Sequence, residues 1–161
     1  MIVGHSERRK HHGETDAIVA AKAEAARRVG LLAIICIGEP DAHRLAGNAL
    51  TVCGDQIAGS VLKGMMASCI AIGYGPLWAI GSGHLQTSEQ IIKVRAHMRK
   101  SLAARMSAEG DKVRILYGGS VKADNARTIL ALPEVGGVLV GGASVKAADF
   151  NAIIRFVPVT A

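Results

Sequence analysis

Apolar positions in this chain come in two kinds of run. Short, nearly continuous ones occupy 31–37, 69–72, 113–116 and 138–140, and each meets a glycine at once or one residue later. Runs this short, bounded by turn residues, read as strands buried in a parallel sheet. Met1 to Gly4 reads as the stump of one more strand. Between these runs the apolar residues recur at helical spacing. After a cap at Thr15 or Asp16, Ile18, Ala21, Ala25 and Val29 share a face up to Gly30, which ends the helix. Leu50, Ile57 and Val61 roughly align over 48–63. Thr87 and Gln90 form a capping box ahead of a helix to about Met106, with Ile91, Val94, Met98 and Leu102 as its buried stripe. Shorter helices are expected over 124–132 and 147–154, the last with Phe150, Ile153 and Ile154 as its stripe.

Strand and helix therefore alternate, with a glycine-rich turn after each strand. That order predicts an α/β fold of about five parallel βα units in a single domain, 1–161. Composition agrees. Half of the 161 residues are hydrophobic, aromatics are scarce and glycine numbers 19, so the core is built from Ala, Val, Ile and Leu. No run approaches the length of a membrane span and no signal peptide opens the chain, so neither membrane nor export is expected. Cys36, Cys53 and Cys69 are scattered and odd in number, which suits a reducing cytosol and a cytoplasmic protein. The formal net charge is +6. Basic residues do not cluster beyond Arg8-Arg9-Lys10 and no aromatics interleave with them, so a nucleic-acid partner is not expected. A phosphorylated ligand accounts for the excess equally well.

Four stretches carry candidate chemistry. Residues 73–83 follow a strand and have a stiff start at Pro76, an apolar middle at Leu77-Trp78-Ala79-Ile80, and glycines at 81 and 83. Such a loop suits either a lid over a ligand or a packed surface loop. His5 follows Gly4 at a strand's carboxyl end, a good place for a catalytic imidazole, although a lone histidine there is more often structural. Gly118-Gly119-Ser120 and Gly141-Gly142 leave the last two strands, where paired glycines let backbone N–H groups converge on an anion. His11-His12-Gly13-Glu14 reads as a solvated turn, because no pair with zinc spacing follows it. Cys36 has no partner histidine beside it and reads as a small core residue. Neither a metal nor another cofactor is called for.

The same stretches resemble one family. Residues 74–83 follow the pattern Tyr-Glu-Pro-x-Trp-Ala-Ile-Gly-Thr-Gly of the mobile loop of triosephosphate isomerases, with Gly75 in place of the glutamate and Ser82 in place of the threonine. Gly4-His5-Ser6-Glu7-Arg8-Arg9 and Cys36-Ile37-Gly38-Glu39 resemble two further blocks, and Tyr117 to Ser120 and Leu139 to Ser144 resemble the last two turns, in the family's order. The resemblance runs from Ile2 to Ile154 and implies an incomplete TIM (β/α)8 barrel that starts at the family's fourth strand. It implies the family's reaction, interconversion of glyceraldehyde 3-phosphate and dihydroxyacetone phosphate, a step of glycolysis and gluconeogenesis. The roles known in that family, carried over by position, make His5 the neutral electrophile that shuttles protons between the substrate oxygens. Ser6 and Glu7 would be its near neighbours, Gly75 the position of the lost base, and Gly81, Ser120, Gly141 and Gly142 the phosphate contacts.

Two of the family's principal side chains are then missing: the glutamate, through Gly75, and a lysine of the first loop, which belongs to the units not matched. The expectation is a chain that keeps the phosphate cradle but is inactive or severely impaired. Two other readings stay open, an isomerase completed by a second chain and a self-assembling structural protein without ligand. About five strands cannot close an eight-stranded barrel. Two open edges and an open inner face are therefore expected, with Ile35, Ile37, Ile70 and Ile72 on that face. A homo-oligomer is the expected remedy.

Overall fold

The computed structural model describes residues 1–77 and 86–157. Four strands, β1 (Ile2–Val3), β2 (Ala33–Ile37), β3 (Ile70–Tyr74) and β4 (Arg114–Tyr117), pair in parallel in the order β1-β2-β3-β4. The fifth apolar run joins them only through a parallel bridge between Tyr117 and Val138. Tyr117 N–H donates to Gly137 O (2.9 Å) and Leu139 N–H to Tyr117 O (2.8 Å). The chain enters that bridge through Gly137 at φ +146°, outside strand geometry, and the ladder does not extend.

Seven α-helices accompany the strands among the described residues: α1 (Ser6–His12), α2 (Asp16–Arg28), α3 (Asp41–Leu45), α4 (Ala49–Ser60), α5 (Ser88–Met106), α6 (Ala126–Leu130) and α7 (Ala147–Ile154). None of them is long and apolar enough to cross a membrane. In α5 the capping box forms as expected: Thr87 Oγ1 accepts from Gln90 N–H (3.3 Å) and Gln90 Oε1 from Thr87 N–H (3.2 Å). Its stripe of Ile91, Val94, Met98 and Leu102 is buried. Each such side chain contributes roughly 1.5–3 kcal/mol. The helices α1 and α3 fall outside the expectation. Neither buries a residue, so neither leaves an apolar stripe to read.

Side chains alternate across a strand, and the register decides which set is covered. Ile35 pairs with Ile72, Ile37 with Tyr74, Ile72 with Ile115 and Tyr74 with Tyr117. These pack in one core with Val19 and Ala23 of α2, Cys53 and Ile57 of α4, and Val94 and Met98 of α5. The expected open face is therefore corrected. Ile35, Ile37, Ile70 and Ile72 lie under the helices and are at most 2% exposed. The opposite face carries Ile2, Ile34, Cys36 and Gly73, of which Ile2 is 53% exposed. An unbroken apolar run does not reveal which parity faces which layer.

Two helical stripes and the start of one strand run also shift. On α2 the buried residues are Val19, Ala20, Ala23 and Ala26, while Ile18, Ala21, Ala25 and Val29 are exposed. So many alanines leave the stripe's phase to be set by packing. Leu31 and Leu32 lie outside β2 and are exposed, and on α7 only Ile153 is buried, with Phe150 and Ile154 exposed. The His11-to-Glu14 turn is also different in kind. His11 and His12 close α1, whose end Gly13 caps at φ +64°, and Glu14 is buried.

Glu14 is held by two cations. Arg8 Nε donates to its Oε1 (2.7 Å), and the Lys22 ammonium donates to the same oxygen. These hydrogen bonds, Lys22 first, bring its carboxyl down from 4.5 to about 2 despite burial. A depressed carboxylate stabilises the fold above its unfolded pKa and ceases to do so as pH falls through the folded one. Thermal melts of the parent and Glu14→Gln should therefore differ by a constant amount above pH 4.5 and converge toward about pH 2. A gap that does not close on acidification would count against this.

Candidate active site

The carboxyl ends of the strands converge on two adjoining hollows. The smaller, about 30 Å³, is lined by His5 and Ser6 after β1, Cys36 and Gly38 at the end of β2, Gly73 and Gly75 at the end of β3, and Arg9, Leu77 and Leu139 among others. It has room for a water-sized group or two. The larger, about 900 Å³, is open and lined by His5, the 118–124 loop after β4, and Leu139 to Ala143. His5 belongs to both.

His5 is set by its neighbours on either side. Gly4 adopts φ +67°, and a Cβ there would lie 2.8 Å from Val19 Cγ2, so only glycine fits under α2. His5 O accepts from Arg9 N–H (3.0 Å), and the Arg9 side chain turns back to donate from Nε to Gly4 O (2.9 Å). The Arg9 guanidinium also donates to Asp16 Oδ1 (2.6 Å), Ser60 Oγ (3.3 Å) and Cys36 O (3.4 Å). One guanidinium thereby ties the His5 turn to α2, α4 and β2. Arg9 was not singled out from sequence. An arginine in a basic triplet looks like surface until its partners from three elements are seen.

Beyond Tyr74 the β2–β3 ladder continues through backbone alone. Gly75 N–H donates to Ile37 O (2.9 Å), and Leu77 N–H to Glu39 O (3.2 Å). The two chains come so close that a Cβ on Gly38 would lie 1.9 Å from Gly75 O. Behind this crossing lies a buried polar cluster. Gln86 Nε2 donates to Tyr74 Oη (2.7 Å), and Tyr74 Oη donates to Glu39 Oε1 (3.3 Å). Burial first, then the Glu39 carboxylate, pushes the Tyr74 hydroxyl well above its usual pKa. Burial also pushes the Cys36 thiol up to about 11, so it stays protonated at neutral pH.

The expected site residues are distributed as follows. His5, Ser6 and Gly75 line the small pocket. His5, Ser120, Gly141 and Gly142 line the large cavity. Glu7 lines neither, and its side chain is 80% exposed with Oε2 4.0 Å from His5 Nδ1. Gly81, and with it Trp78 and Ser82 of the expected lid, lies outside the described residues. Among the described residues no hydrogen bond takes up the amides of Gly119, Ser120, Gly141 or Gly142. The large cavity thus offers free donors, and the described residues contain no cluster that could hold a metal ion. Residues that sequence reasoning missed are Arg9, Gly38 and Leu139 in the small pocket, and Lys122 in the large cavity.

The close approach of Gly38 to Gly75 yields a direct test. Because the clash is with backbone, Gly38→Ala must part the two strand ends, at about 1–3 kcal/mol or more. We expect a lowered melting temperature and faster amide exchange at Gly75 and Leu77. A variant that melts like the parent, with both amides still protected, would contradict the contact.

A family model described as triosephosphate isomerase matches residues 1–157. The triosephosphate isomerase of Afipia carboxidovorans is 56% identical over 158 residues, covering 98% of this chain and 63% of that protein. That of Rhodopseudomonas palustris is 54% identical, covering 98% of this chain and 62% of that protein. The crystal structure of triosephosphate isomerase from Bartonella henselae superposes with a TM-score of 0.89 at 44% identity, covering 96% of this chain and 63% of that one. The chain therefore spans about 63% of the length of these relatives, and its sheet corresponds to part of a TIM barrel. Matched over nearly its whole length in sequence and in fold, the chain belongs to the triosephosphate isomerase family.

Proposed function

We propose that this chain keeps the phosphate site of a triosephosphate isomerase while its isomerase chemistry is absent or severely impaired. One observation carries the reading: among the described residues no carboxylate lines the small pocket that His5 shares with Gly75, although Asp124 and Asp149 line the adjoining larger cavity. The family's reaction needs a base to take a carbon-bound proton. Gly75, which stands at the base's position by resemblance, brings only backbone there. The other titratable groups of that pocket are poor substitutes. Arg9 is engaged by Asp16, and the Cys36 thiol is protonated at neutral pH. Loss of a general base costs about 10²–10⁴-fold. By the resemblance, the family's first-loop lysine belongs to the units not matched by this chain, and loss of such an electrostatic stabiliser costs about 10²–10³-fold.

The phosphate reading rests on Ser120 and the free amides of Gly119, Gly141 and Gly142 around one cavity in a chain of net charge +6. A phosphorylated three-carbon substrate, or inorganic phosphate itself, fits such donors. In a coupled assay the chain should turn over far below an ordinary isomerase. Gly75→Glu alone should restore little, since the lysine is still not supplied. Turnover within about tenfold of an ordinary isomerase would overturn the reading.

A second reading concerns assembly. The strand β1 lies at the edge of the sheet, and Ile2 stands half-exposed on the face away from the helices. Val145, Phe150, Ile154, Phe156 and Val157 add exposed apolar surface near the last helix. A second copy, or a chain supplying further βα units, would cover such surface. Light scattering at micromolar concentration should report a dimer or larger species. A monodisperse monomer that melts cooperatively would refute self-association and leave complementation by another chain to be assayed.

A further inference from the structure

The 118–124 loop lines the larger cavity, and a single side chain outside the family's known roles braces it. Asn125 Oδ1 accepts from Lys122 N–H (2.8 Å), and Asn125 Nδ2 donates to Ser120 O (3.0 Å). Each peptide group is planar, with its C=O and N–H pointing in opposite directions. Anchoring Ser120 O therefore turns the Val121 N–H the other way. Anchoring Lys122 N–H fixes the next peptide plane as well. Two successive planes are thus set by one amide, and with them the Cα of Ser120 and of Lys122. Backbone bonds close the turn behind: Asn125 N–H and Ala126 N–H both donate to Lys122 O (3.2 and 2.9 Å). Asn125 is half-buried, whereas Lys122 is exposed at the cavity.

We propose that Asn125 is the positioning residue of the anion site, holding Ser120 and Lys122 where they meet a phosphate dianion. The inference rests on the phosphate reading above. A side chain that both donates and accepts at this reach is needed. Aspartate would lack the donor and would set a negative charge beside the ligand. Alanine would lack both bonds and leave the loop free to turn its peptide planes.

The experiment titrates the ¹⁵N-labelled full chain with inorganic phosphate and follows the amides of Gly119, Ser120, Gly141 and Gly142. Asn125→Ala should weaken phosphate by about tenfold through the loss of two hydrogen bonds. It should speed exchange at the Lys122 amide and leave the β2–β3 amides protected. Asn125→Ser, which keeps a short acceptor and donor, should fall between the two. Parent affinity in Asn125→Ala would overturn the inference alone. So would equal loss in both variants together with loss of β2–β3 protection, which would make Asn125 a support of the fold. A parent chain whose four amides do not respond to phosphate would remove the phosphate reading, and the inference with it.

Discussion

The pairing of β2 with β3 is the constraint on which everything else depends. It places Ile35 against Ile72 and Ile37 against Tyr74 on the side that α2, α4 and α5 cover. Because side chains alternate, the same register puts Cys36 and Gly73 on the other side. Gly73 has no side chain to fill that space. A Cβ there would lie 3.3 Å from Ile34 Cγ2 and from Leu139 Cδ2, so the gap is also too narrow to fill without movement. Burying one parity in the core thus opens a pocket with the other. A slip of one residue would bury Cys36 under the helices and lose both core and pocket together.

What could be read from the chain beforehand follows the strength of each physical signal. The long helix α5 was legible in cap and stripe, because its buried positions are large and spaced on one face. The α2 face was not, because alanines on every side give little contrast between one phase and another. The strands were legible as strands, but not which way each side chain points, because runs such as Ile34-Ile35-Cys36-Ile37 carry no polar residue to mark the outer parity. The lining of the two hollows was legible where glycines and the His-Ser pair cluster after strands. Arg9, Asn125 and Gly38 act through partners far away in sequence or through a backbone approach, and no local pattern announces either.

Buried charge is handled in two ways. Arg9 meets a carboxylate, a hydroxyl and two carbonyls from three elements, so its desolvation is offset by hydrogen bonds. Arg95 on α5 is more deeply buried, with no exposed surface against 17% for the Arg9 side chain, and is poorly served. Its Nη2 donates to Ile115 O, while Nε and Nη1 have no partner among the described residues. Burial brings its pKa down to about 10, with Glu134 acting against the shift. Ile115 O also accepts from Gly136 N–H (3.0 Å), so that carbonyl does not depend on the guanidinium. The well-bonded arginine stands beside the pocket and the poorly bonded one behind β4. The structure spends its polar connections where His5 must be held.

Gly75 shows how the fold can be independent of a side chain in the pocket. Its amide is used by Ile37 O, its carbonyl packs against Gly38, and the Leu77 amide beyond it is used by Glu39 O. None of these contacts asks for a side chain at position 75. A position that contributes to the fold only through its backbone leaves its side chain free to vary without loosening the ladder around it. The larger cavity is lined by glycine backbone as well, at Gly119, Gly141 and Gly142, with Ser120 as the polar side chain among the expected contacts. The small pocket at the end of β3 and the large cavity after β4 and the bridge strand share His5, Gly118 and Leu139 but draw the rest of their linings from different turns, so the side chain at position 75 can change while the glycine turns of the cavity stay in place.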